Sequence, residues 1–156
     1  MKGKWKTLLI CLALPLGVGG VAAFLTKDSM KIFESLNQPP LSPPGWLFPV
    51  VWTVLYALMG RSSFLVLTSG AEKVRIRRAL GVYLLQLGFN FLWSILFFNL
   101  EAYLAAFFWL VGLWVLILVT MVLFYKIRPR AGDLLLPYLL WVTFAGYLNY
   151  GIWLMN

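Results

Sequence analysis

Long hydrophobic runs dominate the chain and recur at a nearly constant length. Five such runs cover residues 7–25, 46–67, 79–100, 102–125 and 134–155. Each is close to the roughly 20 residues that an α-helix needs to cross the hydrocarbon core of a bilayer. None contains an acidic residue, and Arg61 is the only basic one. The pattern predicts an all-α integral membrane bundle of five transmembrane helices, forming a single domain over residues 1–156.

The basic residues between the runs alternate between the two sides of the predicted membrane. Ten of the thirteen fall on one side, namely Lys2, Lys4, Lys6, Lys73, Arg75, Arg77, Arg78, Lys126, Arg128 and Arg130. Only Lys27 and Lys31 fall on the other side. Because cytoplasmic loops carry the excess of Lys and Arg, we expect a cytoplasmic N-terminus and a C-terminus outside.

Composition narrows the classes of function. Hydrophobic residues make up 62% of the chain, and its mean hydropathy is +0.88. The net charge of +8 comes from residues at the ends of apolar runs, so we expect no nucleic-acid partner. The chain has no histidine, and its five acids all lie between the runs. We therefore predict neither a conventional acid–base site nor a metal site, and no carboxylate for proton-coupled pumping.

Two segments near the N-terminus have specific features. The first run also resembles a signal peptide, with small residues from Val21 to Ala23 before a cleavage point. We predict a retained helix, because its apolar centre is long and its removal would leave a gap in the bundle.

Residues 26–45, named the cover here, contain four prolines that stop helix continuation, so they are expected to form a semi-rigid lid on the outer side.

Aromatic and amide side chains recur with helical spacing on three of the runs. The positions that share a face are Gln86, Asn90, Trp93 and Phe97, then Trp141, Ala145, Asn149 and Ile152, then Trp52 and Tyr56. Amides avoid lipid, so these faces should converge on an interior cavity suited to a flat hydrophobic ligand. The alternative is that the amides only bond helices together, at roughly 0.6 kcal/mol each. Trp109 and Trp114 are expected to serve packing alone.

Three segments carry a resemblance to a known family. They are NQPPLSPPGWLFPVVWTVLY at residues 37–56, QLGFNFLWSILFF at residues 86–98 and PYLLWVTFAGYLNY at residues 137–150. These segments resemble the first-loop, third-helix and fifth-helix motifs of the TspO/MBR family of tryptophan-rich sensory and translocator proteins. The similarity spans essentially the whole chain, in order.

The resemblance implies a five-helix bundle, commonly a homodimer, whose pocket beneath the first loop binds porphyrins and haem. In animal members it also binds cholesterol and benzodiazepine-type drugs. Trp52 and Trp141 correspond to tryptophans implicated in light-dependent porphyrin breakdown. The implied ligand-binding residues are Phe33, Trp52, Tyr56, Asn90, Trp93, Ser94, Trp141, Ala145, Leu148 and Asn149. Porphyrin or haem would be a ligand, with no cofactor required and no metal-ligating residue.

Two positions depart from the family pattern. Leu41 stands where a first-loop tryptophan is common, and the basic residue of the animal cholesterol motif is missing after Tyr150. The resulting hypothesis is a tetrapyrrole sensor or scavenger in the plasma membrane, with photo-oxidative degradation as its only candidate enzymatic activity. Two alternatives stay open: a passive transporter of porphyrins or other lipophiles, and a regulatory membrane partner without a ligand.

Overall fold

The computed structural model describes residues 3–156 and consists of α-helices joined by short connections. Lys2, one of the residues used in the topology prediction, lies outside that range. In chain order the helices are α1 (Lys4–Thr26), α2 (Met30–Ser35), α3 (Leu47–Leu67), α4 (Lys73–Ser94), α5 (Tyr103–Ile127), α6 (Pro129–Asp133) and α7 (Leu136–Met155). A 3-10 turn, Lys27–Ser29, joins α1 to α2, and a π-helical turn, Ile95–Asn99, extends α4.

Five helical stretches are long and apolar enough to cross a membrane. They are Lys4–Ser35, Leu47–Leu67, Lys73–Asn99, Tyr103–Ile127 and Pro129–Met155. Within residues 3–156 there is no strand. The predicted fold class, an all-α bundle with five membrane-spanning helices, is therefore confirmed.

The distribution of polar and apolar side chains is the reverse of that in a water-soluble protein. Gln86, Asn90 and Asn149 are buried in the interior, whereas Ile10 and Phe108 are exposed on the outer surface. Acyl chains offer no hydrogen bonds, so polar groups in a bilayer are best satisfied between helices while apolar side chains face lipid. The bundle is arranged for a hydrocarbon solvent.

The clearest differences from the prediction lie at the start of α4 and in the cover. Helix α4 begins at Lys73 instead of residue 79, because Gly70, with a φ of +79°, ends the preceding connection and no glycine or proline follows before residue 79. The first part of the cover is helical, as Lys27–Ser29 and α2, although the whole segment was expected to be extended or turned. The four prolines all lie after Gln38, so nothing upstream of them prevents a helix.

Close packing joins α1 to α3, α4 to α5, and α5 to both α6 and α7. Helices α3 and α7 are not among the closely packed pairs, and they approach each other through aromatic side chains such as Phe48 and Trp141. Their separation leaves room for a cavity between them.

Gly60 shows how tightly α1 and α3 meet, because a Cβ atom there would lie 2.7 Å from both the Cys11 carbonyl oxygen and Leu12 Cα.

Replacing Gly60 tests this helix contact. Gly60→Ala should lower stability by about 1–3 kcal/mol, because the added methyl group meets backbone atoms that cannot move aside. The measurement is the thermal unfolding temperature in detergent. Gly17→Ala on α1 is the matched control, since its Cβ would meet no atom within 4 Å. Equal unfolding temperatures for Gly60→Ala and Gly17→Ala would contradict the packing described here.

Candidate ligand-binding cavity

A cavity of about 220 Å³ lies among α1, α2, α3, α4 and α7, beneath the cover. Every predicted ligand-binding residue except Asn90 lines it, namely Phe33, Trp52, Tyr56, Trp93, Ser94, Trp141, Ala145, Leu148 and Asn149. The inward direction predicted for the three aromatic and amide faces agrees with this placement. Tertiary folding brings together residues that are more than 100 positions apart in the chain.

Several lining residues were not predicted. Helix α1 contributes Gly19, Ala22, Ala23 and Thr26, which share a face at helical spacing and are small enough to leave space. That spacing of small residues was a usable signal. The other additional residues are Met30, Phe48, Pro49, Phe97, Phe98 and Ile152, of which Phe97 and Ile152 belong to the polar and aromatic faces identified from spacing.

Gly19 has a specific steric role in the cavity wall. A Cβ atom at this position would overlap the ring of Tyr56, so glycine is what allows the Tyr56 ring to lie against α1. Tyr56 is 7% exposed, and its ring stacks on Trp52 with centroids 5.5 Å apart and planes at 29°. The position of the Trp52 indole is thereby coupled to the α1–α3 contact.

The cover is attached to the bundle near its start and in its middle. On the α4 side, the Ser29 hydroxyl donates to Asn99 Oδ1 at 2.7 Å, and Asn99 Nδ2 donates to the Leu25 carbonyl at 3.1 Å. On the α7 side, Asn156 Nδ2 donates to the Asn37 carbonyl at 2.8 Å. These hydrogen bonds hold the cover over the cavity and give the predicted semi-rigid lid a structural basis.

The proline-rich half of the cover packs along α7. Pro39 lies so close to Gly151 that a Cβ atom there would be 2.7 Å from the Pro39 ring, and the Tyr147 hydroxyl donates to the Pro40 carbonyl at 2.7 Å. Leu41 follows with a φ of +72° and is 84% exposed. Its side chain is therefore directed away from the cavity. On the inner side of the cover, the Phe33 ring packs against two others, with its centroid 5.4 Å from that of Phe98 and 5.8 Å from that of Phe48.

Asn90 is the predicted ligand-binding residue that the structure places elsewhere. Its Oδ1 accepts a hydrogen bond from the Tyr56 hydroxyl at 2.8 Å, and its Nδ2 donates to the Tyr138 hydroxyl at 2.7 Å. The Tyr138 hydroxyl in turn donates to Gln86 Oε1 at 2.7 Å. Asn90 thus lies behind Tyr56, because the bulky phenol ring occupies the space between the amide and the cavity. Helical spacing gave its inward direction correctly but not its distance from the ligand space.

The second buried amide, Asn149, does line the cavity and orients Trp93. Its Oδ1 accepts a hydrogen bond from Trp93 Nε1 at 3.1 Å, while its Nδ2 donates to the Tyr103 carbonyl at 2.8 Å. The Trp93 ring stacks on Phe97 with centroids 5.1 Å apart. Both hydrogen-bonding groups of the Asn149 amide are therefore used within the protein, so the indole of Trp93 is held in one orientation.

Trp141 differs from Trp93, Trp109 and Trp114, whose indole N–H groups all donate hydrogen bonds. Its ring packs near Phe48, with centroids 5.9 Å apart, but its buried Nε1 has no hydrogen-bond partner within residues 3–156. By contrast, Trp109 Nε1 donates to the Phe89 carbonyl at 2.9 Å, and Trp114 Nε1 donates to Thr143 Oγ1 at 2.8 Å. Trp109 and Trp114 pack outside the cavity lining, as predicted for them.

The lining offers stacking surfaces and few polar groups. It contains no Asp, Glu, Lys or Arg, and the chain has no histidine. Within residues 3–156 no cluster of three potential metal-ligating His, Cys, Asp or Glu side chains occurs. The residues present can hold a flat apolar molecule between aromatic faces, and Ser94 adds a hydroxyl to the lining, whereas the Thr26 hydroxyl already donates to the Ala22 carbonyl at 2.8 Å.

Comparison with known proteins agrees with this architecture. The TspO/MBR family model matches residues 11–154. The Tryptophan-rich protein TspO of Chlorobaculum tepidum is 38% identical over 157 residues, covering 100% of this chain and 99% of that protein. The Tryptophan-rich protein TspO of Archaeoglobus fulgidus is 37% identical, with 90% and 91% covered. The Translocator protein of Bos taurus is 32% identical, with 100% and 94% covered. With five apolar spans and a family match over most of its length, the chain belongs to the TspO/MBR family and is an integral, multi-pass membrane protein.

Proposed function

We propose that the cavity binds a planar tetrapyrrole, such as protoporphyrin IX or haem, and that the protein acts as a membrane sensor or scavenger of such molecules. The observation that carries this proposal is the aromatic lining, in which Trp52, Trp93 and Trp141 face one shared cavity. Indole faces stack well on a planar, polarizable macrocycle. Membership of the TspO/MBR family supports the same class of ligand.

The size of the cavity bears on how the ligand would enter. At about 220 Å³ it is smaller than the roughly 300–1,000 Å³ of pockets that hold drug-sized molecules. Binding a tetrapyrrole would therefore require the cavity to widen, with the cover as the element best placed to move. A rotation of Trp141 would add space and give its unpaired Nε1 access to an acceptor on the ligand.

We further propose that bound porphyrin is degraded under light with dissolved dioxygen as the terminal oxidant, and that Trp52 and Trp141 are one-electron donors to the excited porphyrin, which passes the electron on to dioxygen. Both indoles line the cavity, and an electron-rich indole can donate an electron to an excited porphyrin. The lining lacks a general acid or base, so photochemistry is the reaction type that these residues support. The degradation proposal depends on the binding proposal, whereas binding alone would suffice for a sensor.

A titration tests the binding proposal directly. Protoporphyrin IX added to the purified protein in detergent should quench tryptophan fluorescence saturably, because three of the eight indoles lie at the cavity. Quenching that rises linearly without saturation, as expected for a free tryptophan derivative in detergent micelles, would overturn the proposal. That outcome would favour a regulatory membrane partner without a ligand.

The attachment of the cover to α7 should control how fast the ligand leaves. Tyr147→Phe removes the hydroxyl that bonds to the Pro40 carbonyl, a bond worth about 0.5–1.5 kcal/mol net. We expect porphyrin dissociation to become about two- to tenfold faster, measured by stopped-flow fluorescence. Tyr150→Phe is the control, because the Tyr150 ring packs on Phe107 and Trp153 instead of the cover. An unchanged dissociation rate in Tyr147→Phe would mean that the cover does not govern release.

A further inference from the structure

Trp52 is held between two tyrosines that come from different helices. Its ring stacks on Tyr56 of α3, with centroids 5.5 Å apart, and meets the edge of Tyr138 of α7 at 6.2 Å and 71°. A stacked neighbour on one side and an edge-on neighbour on another restrict both translation and tilt of the indole. The orientation of Trp52 therefore depends on where these two phenol rings lie.

The hydroxyls of both tyrosines bond to the same carboxamide. Tyr56 donates to Asn90 Oδ1, and Asn90 Nδ2 donates to the Tyr138 hydroxyl. A carboxamide has one accepting and one donating end, so each tyrosine takes a different end and the amide orientation is determined. The Tyr138 hydroxyl donates in turn to Gln86 Oε1, which extends the series of hydrogen bonds on the side away from Tyr56.

The buried surroundings of these hydrogen-bonded side chains keep them rigid. Asn90, Tyr138 and Gln86 are each 1% exposed. Hydrogen bonds in a medium of low dielectric constant are strong, and a buried group that loses its partner carries a large desolvation cost. Gly19 closes the other side of the Tyr56 ring, leaving no space for that ring to shift toward α1. The group of Tyr56, Asn90 and Tyr138 is named the clamp below.

We infer that Asn90 is a positioning residue, which acts through Tyr56 and Tyr138 to hold the Trp52 indole in the orientation that faces the ligand. Asn90 is not among the residues that line the cavity, so its effect on a bound molecule passes through the two phenol rings. This inference rests on the proposed function for its consequences, but the placement of Trp52 is a property of the ligand-free protein. The competing interpretation, in which Asn90 only bonds helices together, becomes an outcome of the test.

The test observes Trp52 in the absence of ligand. Incorporation of 5-fluorotryptophan labels the eight tryptophans, and comparison with Trp52→Phe assigns the Trp52 fluorine resonance. Asn90→Leu should shift or broaden that resonance, because the Tyr56 hydroxyl loses its acceptor and the Tyr138 hydroxyl keeps only Gln86, so the two phenol rings no longer keep the indole in one orientation. Tyr56→Phe removes a single oxygen atom and should have the same effect, which keeps the test valid should Asn90→Leu fold poorly.

Asn149→Leu is the matched control. Like Asn90 on α4, Asn149 on α7 is 1% exposed and is bonded to an aromatic side chain, but its partner is Trp93. The control substitution should move the Trp93 resonance and leave that of Trp52 in place. If Asn90→Leu lowers the unfolding temperature without moving the Trp52 resonance, or if Asn149→Leu moves it equally, the positioning role is wrong.

Kinetics then separate positioning from contact with the ligand. Under the proposed photochemistry, Asn90→Leu should slow light-dependent porphyrin loss about tenfold, while Kd for protoporphyrin IX changes less than about threefold. A large rise in Kd with an unchanged rate in the bound state would instead make Asn90 a direct ligand contact. Failure of the wild-type protein to bind porphyrin would overturn the proposed function, whereas the fluorine spectra decide the role of Asn90 independently.

Discussion

Ala22→Phe should nearly abolish porphyrin binding. Ala22 lies on α1, is 5% exposed and lines the cavity, so a phenyl ring there enters a space of only about 220 Å³. Overfilling a packed interior costs about 1–3 kcal/mol, and a loss of about 2 kcal/mol in binding free energy raises Kd about 30-fold. The measurement is the midpoint of the fluorescence titration with protoporphyrin IX.

Val21→Phe provides the control for this substitution. Val21 is the neighbouring residue on the same helix but is 53% exposed on the outer surface, where a larger apolar side chain meets lipid or detergent. Its Kd should equal that of the wild-type protein. Wild-type affinity in Ala22→Phe, with the fold intact by circular dichroism, would place the binding site outside this cavity.

Trp52→Phe and Trp141→Phe should each slow the light-dependent loss of bound porphyrin, by about tenfold or more, and the double variant should show almost none. Phenylalanine keeps an aromatic face for stacking but lacks the easily oxidised indole. Kd should therefore change less than about threefold while the rate of loss falls. Absorbance of the complex under constant illumination measures the rate, and a dark sample gives the baseline.

Trp153→Phe separates a specific role from general photodamage. Trp153 is 39% exposed and is not among the residues that line the cavity, so its loss should leave the rate unchanged. Equal slowing in Trp153→Phe and Trp52→Phe would indicate nonspecific oxidation. Wild-type rates in both cavity variants would remove the degradation proposal and leave a binding protein.

The two proposals make different demands on the same lining. Binding needs apolar area, which the aromatic walls supply. It also needs a cover that opens and closes, and the hydrogen bonds of Asn37 and Tyr147 hold that cover in its closed position. Degradation additionally needs an electron donor in a controlled orientation, which is where the clamp around Trp52 matters. A variant with slower light-dependent porphyrin loss but an unchanged Kd would therefore have a defect in the orientation of the electron donor and not in ligand binding.

Much of the architecture was predictable from the spacing of residue types. Bilayer thickness imposes a helix length, so five apolar runs of similar length predicted five spans. The exclusion of amides from lipid predicted the inward faces of Asn90 and Asn149, which are both buried. The helical start of the cover was not predicted, although its four prolines begin only at Pro39 and do not restrict the residues before them.

Helical periodicity gives the direction in which a side chain points, so run length and spacing were enough for the spans, their inward faces and eight of the nineteen residues that line the cavity. Phe33, Ser94 and Leu148 were expected only from the family resemblance. Periodicity does not say which side chain of a neighbouring helix will stand in between. Packing in three dimensions decided that Tyr56 separates Asn90 from the cavity and that Gly19 makes room for the Tyr56 ring. It also decided that small residues of α1, such as Ala22, form a wall of the cavity. These outcomes depend on contacts between residues far apart in the chain, whose distances follow from how the helices cross and not from the order of residues within any one of them.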